Sequence, residues 1–418
     1  MTSEILIADD AIERLAATAP ERPLLVMDLN TREAAGERLA AALGEARTIV
    51  FEERDGLHAD WPEVGRVRAH LEPGTVPVAV GSGTITDIVR YAAHESGRDF
   101  ISVPTAASMD GYASNVAAMH IDGVKLTFPA RAPLAIYADP RVLASAPDEL
   151  TRAGIGDLLG KATAGVDWLA AHLLYGETYD QAVAADTRRA MLRVAENVPA
   201  LTGGDPAALR DLLEALILSG TSMARVGNSR PASGLEHHAS HFWDLLAARG
   251  LRSHHSHGLQ VGYATWFGMH LQRHAYAVEF TQLRTPTPAA DPLGPTAREW
   301  LGDPSEEIVR AVARKQEFIA GRGRWPVEQR AWDETREALV DAMETFPLVE
   351  RALEQAQIPR EPGFLEVDRR MLVATFHHAT RLRDRYTTVD FLESQRRLDG
   401  AIPQAILSSV SSHSQEGA

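Results

Sequence analysis

Cysteine is absent from the 418 residues, which excludes disulfides, iron–sulfur clusters and thiolate-bound zinc. Any metal bound here must therefore sit on histidine and carboxylate. No run of roughly 18 apolar residues occurs, so the sequence offers no candidate membrane helix. Lysine is nearly missing too, with only Lys125, Lys161 and Lys315. In total 42 lysines and arginines face 57 acids, and the formal charge is −15. That balance argues against a nucleic-acid binder, which needs a basic face. It also means that an anionic ligand needs a local positive pocket. The first residues, MTSEILIADDAIERL, put acids where a signal peptide needs a basic start and an apolar core. A cytoplasmic location is the expectation.

A chain this long exceeds one compact core, so more than one domain is expected. Residues 1–20 read as a short amphipathic helix. Leu24 to Met27 is an apolar run with the length of a buried strand, ending in Asp28. Thr31 to Leu43 reads as a helix, with Thr31 as N-cap and Gly44 as its stop. Arg47 to Phe51, Val76 to Val80 and Phe100 to Val103 read as further strands. Helices over Trp61–Leu71 and Thr84–Ser96 separate them. Strands alternating with helices imply a parallel, right-handed α/β sheet. Val116 to Phe128 alternates about Asp122-Gly123, a hairpin pattern, and Ala135 to Tyr137 is a last strand. From Pro147 onward the pattern is helical, broken at Gly176, Gly203-Gly204, Gly227 to Gly234, Gly250 to Arg252 and Pro286 to Pro295. The expected organisation is an α/β dinucleotide-binding domain over 1–146 and an all-α domain over 147–418.

Chemistry concentrates between Asn228 and Gly258, where six of the sixteen histidines fall: His237, His238, His241, His254, His255 and His257. His237 and His241 are four apart and share one helix face. Imidazole is the commonest metal ligand, and a third histidine after a turn can return to the same point. The plainer reading is a solvated, histidine-rich turn. Upstream, Val78-Ala-Val-Gly81-Ser82-Gly83-Thr84-Ile85-Thr86-Asp87 reads as a strand, a glycine turn and a helix start, a place where backbone N–H groups cradle a phosphate. A tight turn needing glycine only for its geometry is the alternative. Asp28 could bond an adenosine ribose hydroxyl or simply cap the next helix. The loop Ser102–Ser114 packs small hydroxylated residues after a strand end, where open α/β sheets bind ligands, or it is an ordinary polar loop. Gly154-Ile-Gly156-Asp157 reads first as an N-cap. Set beside the histidines, Asp157 supplies a carboxylate for a His/Asp metal site.

Taken in order, GSGTITD, SVPTAASMDGYAS, GIGDLLGK, SRPASGLEHHASH and a following HG resemble the bacterial branch of the sn-glycerol-1-phosphate dehydrogenase family. That family lies within the superfamily of iron-containing alcohol dehydrogenases, glycerol dehydrogenases and dehydroquinate synthases. The resemblance covers roughly residues 20–270; nothing from about 280 carries a motif. It implies an N-terminal Rossmann-like dinucleotide domain, a helical C-terminal domain, and one divalent metal (zinc, nickel or iron) on Asp157, His237 and His257. It implies NAD or NADP contacts at Asp28, at Gly83, Thr84, Ile85, Thr86 and Asp87, at Thr105, Ala106, Ala107 and Ser108, and at Ser114. Asp110, Asp157 and His241 would meet the substrate, with His241 as a proton carrier and Asp157 in the catalytic set. A small phosphorylated polyol or ketose is the implied substrate, and a homodimer the implied assembly. Lys125, Lys161 and Arg230 are our candidates for its phosphate. His238, His254 and His255 have no role in this scheme. In place of the superfamily's common glycine triplet the chain has Ser82 in the middle, small enough to keep the backbone approach. Within the same resemblance, a dehydrogenase on another polyol, a dehydroquinate-synthase-like cyclase, or a non-catalytic nucleotide- and metal-binding relative are the alternatives.

Overall fold

The computed structural model describes residues 2–410 apart from 45, 55, 122–123, 288–292, 294 and 322. The chain divides into two compact units, Met1–Leu158 with Asn197–Gly227, and Leu159–Glu196 with Asn228–Ala418.

The first unit is built on a six-stranded sheet of β1 (Glu4–Ile7), β2 (Pro23–Asp28), β3 (Arg47–Phe51), β4 (Val76–Gly81), β5 (Ile101–Pro104) and β8 (Ala135–Ala138). Their spatial order is β1-β8-β5-β4-β2-β3, and every pair is parallel. β2 shows why its residues form an unbroken apolar run. Leu24 and Val26 pack with Ile85, Ile88 and Phe51 on one face. Leu25 and Met27 pack with Ile12, Leu15 and Leu39 on the other. A parallel strand covered by helices on both sides needs apolar residues in both registers. The chain leaves β2 for β3 on one side and returns to β4 on the other. The carboxyl ends of β2 and β4 thus flank the crevice where open α/β sheets bind ligands. β6 (Val116–Ile121) and β7 (Val124–Pro129) form the expected antiparallel hairpin; its tip, Asp122-Gly123, lies outside the described residues.

Four expectations need correction. Residues 1–20 hold strand β1 before the Ala11–Ala17 helix; a four-residue edge strand is too short to show a period. The helix after β2 is capped by Asp28, not Thr31. Thr31 N–H donates to Asp28 Oδ1 at 2.8 Å, and Asp28 N–H donates to Thr31 Oγ1 at 3.0 Å. Asp157 is no N-cap: it lies in the last turn of the Asp148–Leu159 helix. Nor is there one cut near residue 146, since Asn197–Gly227 returns to the first unit. The loop after β5 explains that return. A Cβ at Gly220 would come within 2.7 Å of Asp110 O, and one at Gly154 within 1.9 Å of Ala107 O. The two glycines let the Pro206–Val226 and Asp148–Leu159 helices close on this loop.

The second unit is helical. Its central helices, Leu235–Ala248 and His257–Tyr276, are buried along most of their length, polar residues such as Glu236, Asp244, Gln260 and Gln272 included. The segment beyond 280 completes their packing. Trp243 Nε1 donates to Thr375 Oγ1 at 2.7 Å, and Trp266 Nε1 to Ile358 O at 2.9 Å. A wholly buried carboxylate, Asp167, gathers three stretches of chain. It accepts from Leu235 N–H at 2.8 Å, from Gln272 Nε2 at 3.1 Å, and from Thr388 N–H and Oγ1 at 2.9 and 2.6 Å. Among the described residues, no helix is long and apolar enough to cross a membrane.

Candidate metal centre and cofactor loops

In the first unit, two loops leave adjacent strands at one level, because Gly81 at the end of β4 is paired with Pro104 at the end of β5. From β4 the chain turns at Ser82 into the Gly83–Glu95 helix. Its first turn presents Gly83, Thr84 and Ile85 N–H groups and the positive end of the helix dipole. Thr86 and Asp87 follow on its buried side. Asp87 pairs with the buried Arg90 at 2.6 Å, and Arg90 also donates to the carbonyls of Gly111, Tyr112 and Val116 at 2.5, 3.0 and 3.0 Å. This one side chain binds the nucleotide-type helix to the loop after β5. In that loop Thr105, Ala106, Ala107 and Ser108 are all buried. Tyr112 Oη donates to Ala106 O at 2.6 Å, and Ser114 Oγ to Val116 O at 2.9 Å. Two of the expected ligand residues come together here. Asp110 N–H donates to Asp157 Oδ2 at 2.9 Å, while Asp110 Oδ2 accepts from Ser219 Oγ at 2.9 Å. Asp157 is wholly buried.

In the second unit, His237 and His241 lie on the Leu235–Ala248 helix and His257 opens the next. The ring centroids are 5.2 Å apart for His237 and His257, 5.8 Å for His241 and His257, and 6.5 Å for His237 and His241. His237 Nδ1 donates to Glu236 Oε1 at 2.7 Å, and His257 Nδ1 meets Ser240 Oγ at 3.0 Å. Burial pushes the Glu236 carboxyl upward, but His237, Thr163 and the Gly234 N–H hold it below its usual value. An ionised Glu236 can only accept, so the His237 proton sits on Nδ1 and Nε2 carries the lone pair. A carboxylate behind a histidine in this way is how metal-binding imidazoles are oriented. The donor chemistry therefore fits a divalent metal. Asp157 of the first unit, and His237 and His257 of the second, are the carboxylate and imidazoles with donor atoms for it.

His238 follows His237 directly and is treated differently. It is buried, and neither ring nitrogen has a hydrogen-bond partner. Burial, then the charges of Lys315, Arg385, Arg383 and Arg230, hold its pKa well below the usual imidazole value. His254 is exposed and His255 half-buried, with Nε2 3.8 Å from Glu366 Oε1. Of the three cations proposed for a phosphate, Arg230 is committed elsewhere. Its guanidinium forks onto Glu177, with Nε to Oε1 at 2.5 Å, and Nη1 donates to Tyr386 O at 2.8 Å. Lys161 is buried at the start of the Lys161–Tyr175 helix and borders a cavity of about 450 Å³ with Tyr179 and Arg188. The Lys125 side chain lies outside the described residues. Sequence reasoning missed Glu236, Ser240, Ser219 and Asp167. Only Glu236 left a signal, as the acid beside the first ligand.

The family described as iron-containing alcohol dehydrogenase matches residues 7–147. The glycerol-1-phosphate dehydrogenase (NAD(P)+) of Halalkalibacterium halodurans is 38% identical over 273 residues, 63% of this chain and 68% of that relative. The enzyme of the same name from Pyrococcus furiosus is 36% identical over 258 residues, 60% of this chain and 71% of that one. Among solved structures, glycerol dehydrogenase from Schizosaccharomyces pombe aligns at a TM-score of 0.59 and 16% identity, covering 98% of this chain and 92% of that one. An iron-containing alcohol dehydrogenase from Thermotoga maritima aligns at 0.59 and 14%, covering 97% and 98%. At such identities the structural likeness concerns the fold, which is that of the iron-containing alcohol dehydrogenases.

Proposed function

Because this chain belongs to the glycerol-1-phosphate dehydrogenase family of the iron-containing alcohol dehydrogenases, we propose that it interconverts dihydroxyacetone phosphate and sn-glycerol 1-phosphate with NAD(P)H. The observation that carries the chemistry is the tethering of His237 by Glu236 and of His257 by Ser240. Each imidazole is fixed through Nδ1, which turns Nε2 toward a cation. Asp157, oriented by Asp110 N–H, adds the carboxylate. When bound, the metal supplies Lewis acidity at the C2 oxygen and the dinucleotide supplies or accepts the hydride.

The chain's own residues do the rest. The N–H groups at Gly83, Thr84 and Ile85 hold the pyrophosphate at a helix N-terminus. Thr86, Asp87, the loop Thr105–Ser108 and Ser114 complete the dinucleotide contacts. Asp28 caps the helix after β2 through Oδ1, and its other carboxylate oxygen bonds the adenosine ribose and disfavours a 2′-phosphate, so NADH is preferred to NADPH. Asp110 bonds a substrate hydroxyl. His241 gives a proton to the C2 oxygen in reduction and takes it back in oxidation. No covalent nucleophile is required. We take the protein to be a cytoplasmic homodimer, as the family resemblance implies; size-exclusion chromatography with light scattering would check the assembly.

The test is an assay of purified protein with dihydroxyacetone phosphate and NADH, with and without a chelator. NADH should be consumed, and the chelator should stop it. His257→Ala should remove both bound metal and turnover while circular dichroism stays unchanged. Full activity in metal-free His257→Ala would end the scheme.

A further inference from the structure

Buried polar groups tie together the two helices that carry His237 and His257. Gln260 lies about one turn after His257 on the same helix and is wholly buried. Its amide is used at both ends. Oε1 accepts from Arg252 Nη1 at 2.5 Å, which leaves Nε2 to donate to Asp244 Oδ1 at 2.8 Å and to Ser240 Oγ at 3.4 Å. Because a guanidinium can only donate, the amide cannot turn over without losing that bond. Ser240 in turn meets His257 Nδ1 at 3.0 Å. Ser240 and Asp244 are four apart on the helix that carries His237, so they present one face to Gln260. Arg252, in the connector between the two helices, has a hold of its own. Its Nη2 donates to Leu365 O at 2.7 Å, and the next N–H, of Ser253, donates to Glu366 Oε2 at 2.7 Å. Leu365 and Glu366 both have left-handed backbone, with φ of 53° and 59°. Two successive residues other than glycine keep that conformation only where their surroundings enforce it. Here the carbonyl of one and the carboxylate of the other grip the connector that leads into His257.

We propose that Gln260 is a positioning residue for the metal centre. Through Ser240 it fixes the His257 ring against the helix that carries His237. Arg252, anchored on Leu365 and Glu366, fixes the direction of the Gln260 amide. The inference rests on the metal site of the function proposed above. It differs in kind from what Glu236 does for His237. One imidazole rests directly on a charge, the other on a neutral hydroxyl and amide that end in Asp244 and Arg252. The segment beyond 280, which carries no motif, thereby gains a hold on a metal ligand.

The test titrates the full-length protein, stripped with a chelator, with cobalt(II), whose visible absorption reports the arrangement of the groups around it. Wild type should bind one cobalt per chain. Ser240→Ala should lose about 10- to 100-fold in affinity, the range for the partner of a metal-bound imidazole, and Gln260→Met about 10-fold, each with an altered spectrum. The double variant should be no worse than Ser240→Ala alone, since Gln260 acts through Ser240. Tyr276→Phe is the control. It removes a buried hydrogen bond to Thr388 Oγ1, 3.1 Å long, at the far end of the same helix, and should keep the wild-type affinity and spectrum. Arg252→Met should weaken cobalt binding in the same sense as Gln260→Met, and it decides the matter if that variant does not fold. Wild-type affinity and spectrum in Gln260→Met, or in Arg252→Met where the first does not fold, overturn the assignment. So does an additive loss in the double variant, or an equal loss in Tyr276→Phe. A wild type that takes up no cobalt defeats the metal site and this inference together. A wild type that binds cobalt but consumes no NADH with dihydroxyacetone phosphate defeats the proposed substrate alone, and the cobalt series still supports or overturns the part given to Gln260.

Discussion

Two neighbouring histidines of the Leu235–Ala248 helix meet different surroundings. On one side His237 rests on the buried, ionised Glu236, with Asp167 accepting the Leu235 N–H just before it. The next residue, His238, is buried without a hydrogen-bond partner, and burial followed by the charges of Lys315, Arg385, Arg383 and Arg230 lowers its pKa. The residues are chain neighbours of one type, and both are buried. Position around the helix decides what each can do. The acidic side orients an imidazole lone pair toward a cation, while the neighbouring position leaves an imidazole without a partner.

The largest effect that would break this comparison is an exchange of roles. His237→Ala should abolish metal binding and turnover, read as metal content by plasma emission and NADH consumption. His238→Ala should leave metal content and turnover at the wild-type level. Loss of metal in both variants would mean that the two sides are not separate.

The acidic side itself can be graded by a smaller change. Glu236→Gln keeps the shape and keeps an acceptor for His237 Nδ1, but removes the charge behind the ligand. Metal affinity should fall about 10- to 100-fold, the usual range for such an outer partner, with the fold retained. A chelator competition read by metal-dependent activity would measure it. An unchanged affinity would reduce Glu236 to a spacer.

The comparison also marks how far a sequence can be read. β2 and β4 were legible because a strand buried on both faces is apolar throughout, and the glycine turn because helix starts have their own chemistry. The helix break at Gly227–Gly234 and the shared face of His237 and His241 followed from local periodicity. The alternatives for Asp28 could not be separated, because capping and ribose binding both want an acid after a strand; the reciprocal bonds with Thr31 establish the cap. What stayed hidden was paired over long separations. Asp167 meets Thr388 across 221 positions and Arg230 meets Tyr386 across 156, and no spacing rule reaches so far.

The smallest effect concerns the acidic side and pH. Burial pushes Asp167 up to about 7, with the nearby Glu236 charge adding to the shift and the bonds from Thr388 and Leu235 opposing it. In the unfolded chain the group titrates near its ordinary value of 3.8. Between these values the folded protein holds a proton that the unfolded chain has released. Folding is therefore favoured at the acid end of the window, and the contribution is lost as pH rises toward 7, by at most ~1.4 kcal/mol per unit. His378 works the other way: burial lowers it to about 4, so its neutral folded form gains stability as pH rises toward the ordinary histidine value. The readout is thus a difference. Urea midpoints for wild type and Asp167→Asn, taken from pH 5 to 8, should converge as pH rises even if the wild-type curve is nearly flat, since the variant keeps the rise from His378. Parallel curves would mean that Asp167 is ionised throughout, its hydrogen bonds having outweighed its burial, and that the acidic side carries two charges rather than one.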